Sequence, residues 1–252
     1  MLNDDYPDSD IKAKLEQNLE FVRGKIIKAL DRCSDPGREV TLVAVSKKQP
    51  VQKIKAMAEL EQFHFGENYV QEGLEKIRTI DDSRLKWHFI GGLQSNKAKY
   101  IPGMFCLVHS LDSYKTAQAL HKKAGSLGLV QHVLIQVNLA EEIQKSGVVE
   151  QELPGLAEKI LELENLSLSG LMLMPPFTRD PENSRPYFSR LRNIKDHLEQ
   201  RLQIPLDYLS MGMSQDFVQA VEEGANLLRI GSLLLGTRPG CTLYLSNTNL
   251  NP

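Results

Sequence analysis

Eight short apolar runs recur along this chain, and segments with helical periodicity lie between them. The runs span residues 40–45, 63–65, 87–90, 104–108, 130–137, 166–173, 207–210 and 226–230. The intervening helical patterns follow Pro50 (Val51, Ile54, Met57, Ala58) and then cover 69–79, 96–100, 113–126, 150–163, 185–202 and 216–223. Strands alternating with helices of this length mean βα units around a parallel sheet. Eight such units in about 200 residues predict a single closed (β/α)8 barrel. An open doubly wound sheet is the alternative, weakened because no GxGxxG follows a strand. Ahead of the first run, Asp8-Ser9-Asp10 can cap an extra N-terminal helix whose apolar positions are Ile11, Leu15, Leu19, Val22, Ile26 and Leu30.

No internal repeat or linker divides the chain, so residues 1–240 are expected to form one domain, followed by a polar, disordered tail at 241–252. A net charge of −2 gives no electrostatic case for nucleic acid or an anionic membrane surface. Cys33, Cys106 and Cys241 are odd in number and form no CxxC, which argues against a disulfide framework and fits a reducing cytoplasm. The acidic start, Met1 to Tyr6, lacks the apolar stretch of a signal peptide, and no run reaches membrane-spanning length. The six histidines never adopt HExxH or HxH spacing, so no metal site is expected, and His64, His121 and His197 carry no assignable role.

Candidate chemistry gathers where the strands end, because a barrel aims every carboxyl end at one site. The first run stops at Ser46-Lys47, and Pro50 opens the next helix. A partly desolvated lysine there is easier to deprotonate and can attack a carbonyl, although lysine is also a common solvated strand terminator. Lys48 is expected to be the solvated one. The other ends bring Gly66-Glu67-Asn68, Gly91-Gly92, Gln94-Ser95-Asn96, His109-Ser110, Asn138 and residues 172–175. Gly212 and Ser214 precede a helix near Asp216, and Gly231-Ser232 adds close backbone and a hydroxyl, a phosphate-site pattern after strands seven and eight. Helix capping by Ser214 and a simple turn at Gly231 would explain the same residues. Arg229 ends an apolar strand and needs a partner. Facing a pyridine nitrogen it would keep that nitrogen unprotonated.

Lysine, phosphate cradle and arginine together suggest pyridoxal 5′-phosphate (PLP). A Schiff-base aldolase acting on a sugar phosphate, with Glu67 moving the proton, is the alternative.

Several segments resemble the YggS/PROSC family of PLP homeostasis proteins. They are Ala44-Val-Ser-Lys47, Phe65-Gly-Glu-Asn-Tyr-Val-Gln-Glu72, Trp87-His-Phe-Ile-Gly91, Leu93-Gln-Ser-Asn-Lys97, His109-Ser110, Gln136-Val-Asn138, Lys145-Ser-Gly147, Leu209-Ser-Met-Gly-Met-Ser-Gln-Asp216 and Arg229-Ile-Gly231. The resemblance runs in order from about Leu42 to Gly236. It implies a barrel like the N-terminal domain of alanine racemase, with PLP as an internal aldimine on Lys47. It also implies phosphate contacts from Ser214, Gly231 and Ser232, Arg229 near the pyridine nitrogen, and Asn68 in the cofactor pocket. The implied role is control of PLP supply and of amino-acid and keto-acid balance, without established catalysis. Such a monomer would meet PLP-dependent apoenzymes or a regulatory protein. Gly92 stands where the family usually has proline, and Lys48-Gln49 replaces a usual Thr-Lys; neither is an assigned cofactor contact.

An amino-acid racemase is the competing enzyme reading. It needs a base on each face of the substrate, and Lys47 supplies one. In fold relatives the opposing tyrosine comes from a separate β-rich domain. Only about 20 residues follow the last strand here, too few for one. The Tyr-Gly-His-Gly that follows the lysine in alanine racemases is also missing. A PLP carrier or sensor is the expectation.

Overall fold

The computed structural model describes residues 8–142 and 146–237. The tail at 241–252, Cys241, residues 1–6, Lys145 and the last residues of the expected 1–240 domain lie outside them.

The chain runs α1 (Asp8–Leu30), β1 (Thr41–Val45), α2 (Val51–Glu59), β2 (His64–Glu67), α3 (Val70–Ile80), β3 (Lys86–Phe89) and β4 (Leu107–Leu111). It continues α4 (Tyr114–Ser126), β5 (Gln131–Val137), α5 (Leu153–Leu161), β6 (Leu166–Leu173), α6 (Arg185–Leu202), β7 (Tyr208–Ser210), α7 (Phe217–Glu222), β8 (Leu227–Ile230) and α8 (Ser232–Leu235). The strands close into a barrel in sequence order, all parallel, with β1 pairing both β2 and β8. The open sheet is excluded.

Strand alternation builds two cores. Outward residues such as Phe65, Phe89 and Ile135 pack under the helices and are fully buried. Each such side chain contributes about 1.5–3 kcal/mol by leaving water. Inward residues form a small separate cluster of Val43, Leu107, Leu134, Met172 and Leu227 inside the barrel. Other inward positions are filled by buried polar side chains, among them His88, His109, Ser210 and Arg229.

The extra N-terminal helix has a structural reason. α8 is a single turn and cannot cover the β8–β1 seam, whereas α1 packs against α2, α7 and α8 and buries Leu15, Leu19, Val22 and Ile26 there. Asp8-Ser9-Asp10, expected as its cap, are themselves helical.

The expected 104–108 strand lies three residues later. Ile101 to Phe105 close a helical turn, with the Phe105 N–H donating to the Ile101 carbonyl, and β4 continues through His109-Ser110-Leu111. Polar His109 and Ser110 read as a strand end, yet both are buried within β4. The expected 96–100 helix is only a 3-10 turn, Ala98–Tyr100. Among the described residues no helix is long and apolar enough to cross a membrane, and no cluster of three or more His, Cys, Asp or Glu side chains could hold a metal ion.

Candidate functional site

A cavity of about 710 Å³ opens at the carboxyl ends of the strands, within the usual range for small-molecule sites. Lys47, Asn68, Ser214, Arg229, Gly231 and Ser232 all line it. So do Gly91, Gly92, Gln136 and Ser146, and an apolar rim runs from Met174 through Pro175 and Pro176 to Phe177, which is 78% exposed.

Lys47 sits on the first turn after β1, in the inward register of Val43 and Val45. Its backbone is held from behind by charges. Ser46 is buried, its Oγ donating to Glu67 Oε1 at 2.7 Å and its carbonyl accepting from Lys76 Nζ at 2.6 Å. Lys76 also binds Glu67 Oε1 at 2.8 Å and Glu72 Oε1 at 2.6 Å, and the Lys48 N–H donates to the same Glu72 oxygen. Lys48 is exposed as expected, with a left-handed backbone (φ 57°) that turns the chain towards α2. Burial raises the Glu67 carboxyl, with Lys76 and Ser46 opposing. Glu67 shares the outward register of Phe65 and does not line the cavity, so it cannot serve as an acid over Lys47.

Asn68 follows β2 with its Oδ1 buried and without a hydrogen-bond partner among the described residues. Its backbone is pressed against Gly91, where a Cβ would stand 2.1 Å from the Asn68 carbonyl oxygen. Only glycine permits that approach. Ser184 Oγ, also buried and lining the cavity, has no partner either.

Arg229 points inward from β8 and is 4% exposed. Nη1 donates to Ser210 Oγ at 2.6 Å and Nη2 to the Leu173 carbonyl at 2.9 Å. These are the partners an arginine at this position requires. Burial draws its guanidinium down to about 10, Asp216 opposing, so it stays charged at neutral pH.

The loops after β7 and β8 converge: Ser214 and Ser232 hydroxyls lie 3.5 Å apart beside Gly231. Gly212 (φ 91°) lets the first loop tuck under α7, since a Cβ there would meet Ala220 Cβ at 2.6 Å. Asp216 caps that loop, its Oδ1 accepting from the Met213 N–H at 2.8 Å.

Not every residue expected at the strand ends arrives. His109 and Ser110 lie inside β4, Ser110 donating to the Gly91 carbonyl, and Met172 joins the inner core. Asn138, Gln94, Ser95 and Asn96 do not line the cavity. Sequence reading missed Ser184 and Thr178, which come from the β6–α6 connection and carry no local pattern pointing to a site.

Residues 24–239 match the family described as alanine racemase, N-terminal domain. A pyridoxal phosphate homeostasis protein of Aquifex aeolicus is 43% identical over 222 residues, which cover 88% of this chain and 97% of the relative. The structure of PipY from Synechococcus elongatus PCC7942 with PLP bound superposes with a TM-score of 0.78 at 33% identity, over 88% of this chain and 100% of PipY. An alanine racemase of Clostridium difficile 630 shares the fold (TM-score 0.70, 16% identity) across 90% of this chain and 57% of the enzyme. By the length and strength of these matches, the chain belongs to the alanine racemase N-terminal domain family, among its pyridoxal phosphate homeostasis proteins.

Proposed function

We propose that this chain binds PLP in the cavity at the top of its barrel and serves PLP homeostasis as a carrier rather than a catalyst. The observation that carries this is the convergence of Lys47, the Ser214–Ser232 pair and buried Arg229 on one cavity. The donor set fits the group. Lys47 Nζ would anchor it covalently, and Ser214, Gly231 and Ser232 would hold its phosphate. Arg229 would face the ring nitrogen. Asn68 Oδ1, buried without a partner, is an acceptor suited to a donor such as the ring hydroxyl. When bound, PLP supplies a carbonyl carbon that captures amines and a ring that withdraws electrons.

Two features support carrying over racemisation. Among the described lining residues the titratable side chains are Lys47, Asp216 and Arg229, and Asp216 is engaged with its own loop. A racemase needs a second base opposite the first. A charged arginine at the ring nitrogen also weakens the ring as an electron sink. We further infer one PLP-binding domain over 1–240, a monomer, and work in the cytoplasm, where free thiols such as Cys33 and Cys106 persist. The exposed rim around Phe177 would meet the PLP-dependent apoenzymes or regulatory protein served.

The test is the absorbance of the purified protein with PLP, beside Lys47→Ala. A band at about 420 nm that disappears in the variant supports the reading. A wild-type protein that stays colourless overturns it, and racemisation of alanine or serine at racemase-like rates overturns the carrier role.

A further inference from the structure

The lumen of the barrel contains a row of polar side chains that the cavity does not use directly. Ser210 Oγ, which accepts from Arg229 Nη1, lies 2.7 Å from His109 Nδ1. His109 Nε2 lies 2.9 Å from His88 Nδ1, and His88 Nε2 lies 2.9 Å from His64 Nδ1. His109 and His88 are buried; His64 is partly exposed and lines a second cavity, about 420 Å³, at the amino ends of the strands. The row climbs the strand tilt, His64 opening β2 and His88 sitting opposite Gly66 two residues further on. Their nitrogens meet in consecutive pairs rather than at a common point, and no metal cluster is found among the described residues.

We propose that Ser210, His109, His88 and His64 form a hydrogen-bond relay through the barrel, by which protonation of His64 at the lower face weakens the hold on Arg229 at the floor of the upper cavity.

One hydrogen-bond direction satisfies every group. Arg229 donates to Ser210 Oγ, the Ser210 hydroxyl to His109 Nδ1, His109 Nε2–H to His88 Nδ1, and His88 Nε2–H to His64 Nδ1. A protonated His64 carries hydrogen on both nitrogens, so His88 Nε2 must be bare. His88 then donates from Nδ1 to His109, and His109 from Nδ1 to Ser210. The net change is one proton taken from water, residing on His64; His88 and His109 stay neutral and each carries its hydrogen on the other nitrogen. Ser210 Oγ now faces two donors, and its own hydrogen loses His109 as acceptor. Hydrogen bonds in such chains strengthen one another only while they point the same way.

His64 is the partly exposed member of the row and lines the lower cavity, so it is the group that takes up a proton from water. His64 faces Lys86 and His88 of β3, with Arg23 of α1 and Glu61 around the lower cavity. Burial and then Lys86 lower it below the ordinary imidazole value of 6.5. Burial takes His88, between His64 and His109, to about 3, and His109, between His88 and Arg229, well below 6.5. Asp216 is the charged group acting on Arg229.

The proposal rests on Arg229 bordering the PLP site, so its test begins without PLP. Nitrogen NMR of the full chain labelled in histidine and arginine reads which imidazole nitrogen carries hydrogen. Across the pH step at which His64 titrates, His88 and His109 should exchange Nε2–H for Nδ1–H, and the Arg229 guanidinium hydrogens should exchange faster with water. In His64→Gln neither change should occur. With PLP added, wild type should bind roughly three- to tenfold more weakly below the step, the worth of one hydrogen bond, and His64→Gln should not. Inner tautomers that stay fixed as His64 titrates overturn the relay. Tautomers that switch while Arg229 exchange stays constant overturn the coupling. A protein that takes up no PLP counts against the proposed function alone, because the imidazole and guanidinium signals still decide the relay.

Discussion

The two groups that flank the upper cavity are held by opposite kinds of chemistry. Behind Lys47, on the outer side of the sheet, stands a charged cluster of Glu67, Lys76 and Glu72 that grips the backbone at Ser46 and Lys48. Behind Arg229, inside the lumen, stands a row of neutral groups that grips the side chain itself. The difference follows from what each must do. A lysine that anchors a ligand needs a fixed Cα, so support goes to the chain on either side. An arginine that faces a ring needs its guanidinium plane fixed, so support goes to the nitrogens. A charged cluster in the lumen would also compete electrostatically with Arg229, whereas neutral imidazoles do not.

The comparison can be broken by removing one charge. Lys76→Met leaves Glu67 buried without its cation and should lower unfolding stability by about 3–5 kcal/mol in urea titrations. Adding Glu67→Leu should recover most of that loss; a double variant as unstable as the single would show that the cluster is not an ion-pair unit.

The neutral side has a different signature, in pH. The unfolded chain protonates histidines that the folded barrel keeps neutral, so stability should fall as pH drops from 6.5 towards 3. His88 alone accounts for a slope of up to about 1.4 kcal/mol per pH unit in that window. Glu67 acts in the reverse sense: raised in the fold, it binds a proton the unfolded chain has released, so its contribution declines as pH rises above 4.5. His88→Phe should flatten the acid limb by about one proton. An unchanged slope would mean that His88 is not held neutral.

The smallest effect belongs to groups with no support at all. Ser184 Oγ is buried without a partner among the described residues, so Ser184→Ala should leave the stability of the free protein level or raise it by up to about 1 kcal/mol. If the hydroxyl serves the ligand, PLP affinity falls while stability does not; a loss of stability instead would show that Ser184 already has a partner.

Much of this was legible in the residues, and unevenly. The 166–173 run became β6 without a shift, because a long buried parallel strand reads as uninterrupted apolar sequence. Lys47, Asn68, Ser214, Arg229, Gly231 and Ser232 all reach the cavity, since strand register and the position just past each strand end suffice to aim them. β4 lies three residues late for the converse reason: polar His109 and Ser110 read as a strand end, and they are buried within it because Ser210 and the Gly91 carbonyl offer them partners. The histidine row had a faint signal. His64 and His88 each fall on the inward-facing positions of their strands, but nothing local distinguishes a luminal histidine from a surface one.

The sequence by itself determined the order of elements and the barrel they close into, because hydrophobic periodicity and strand-end chemistry are local properties of the chain. Only the tertiary structure decided that Glu67 belongs to the support of Lys47 and not to the cavity. Only it decided that α1 seals the β8–β1 seam, and that four residues from β2, β3, β4 and β7 stand in hydrogen-bond contact up to Arg229. Those facts depend on strand tilt and on contacts between residues more than a hundred positions apart, which barrel closure creates and no local pattern encodes.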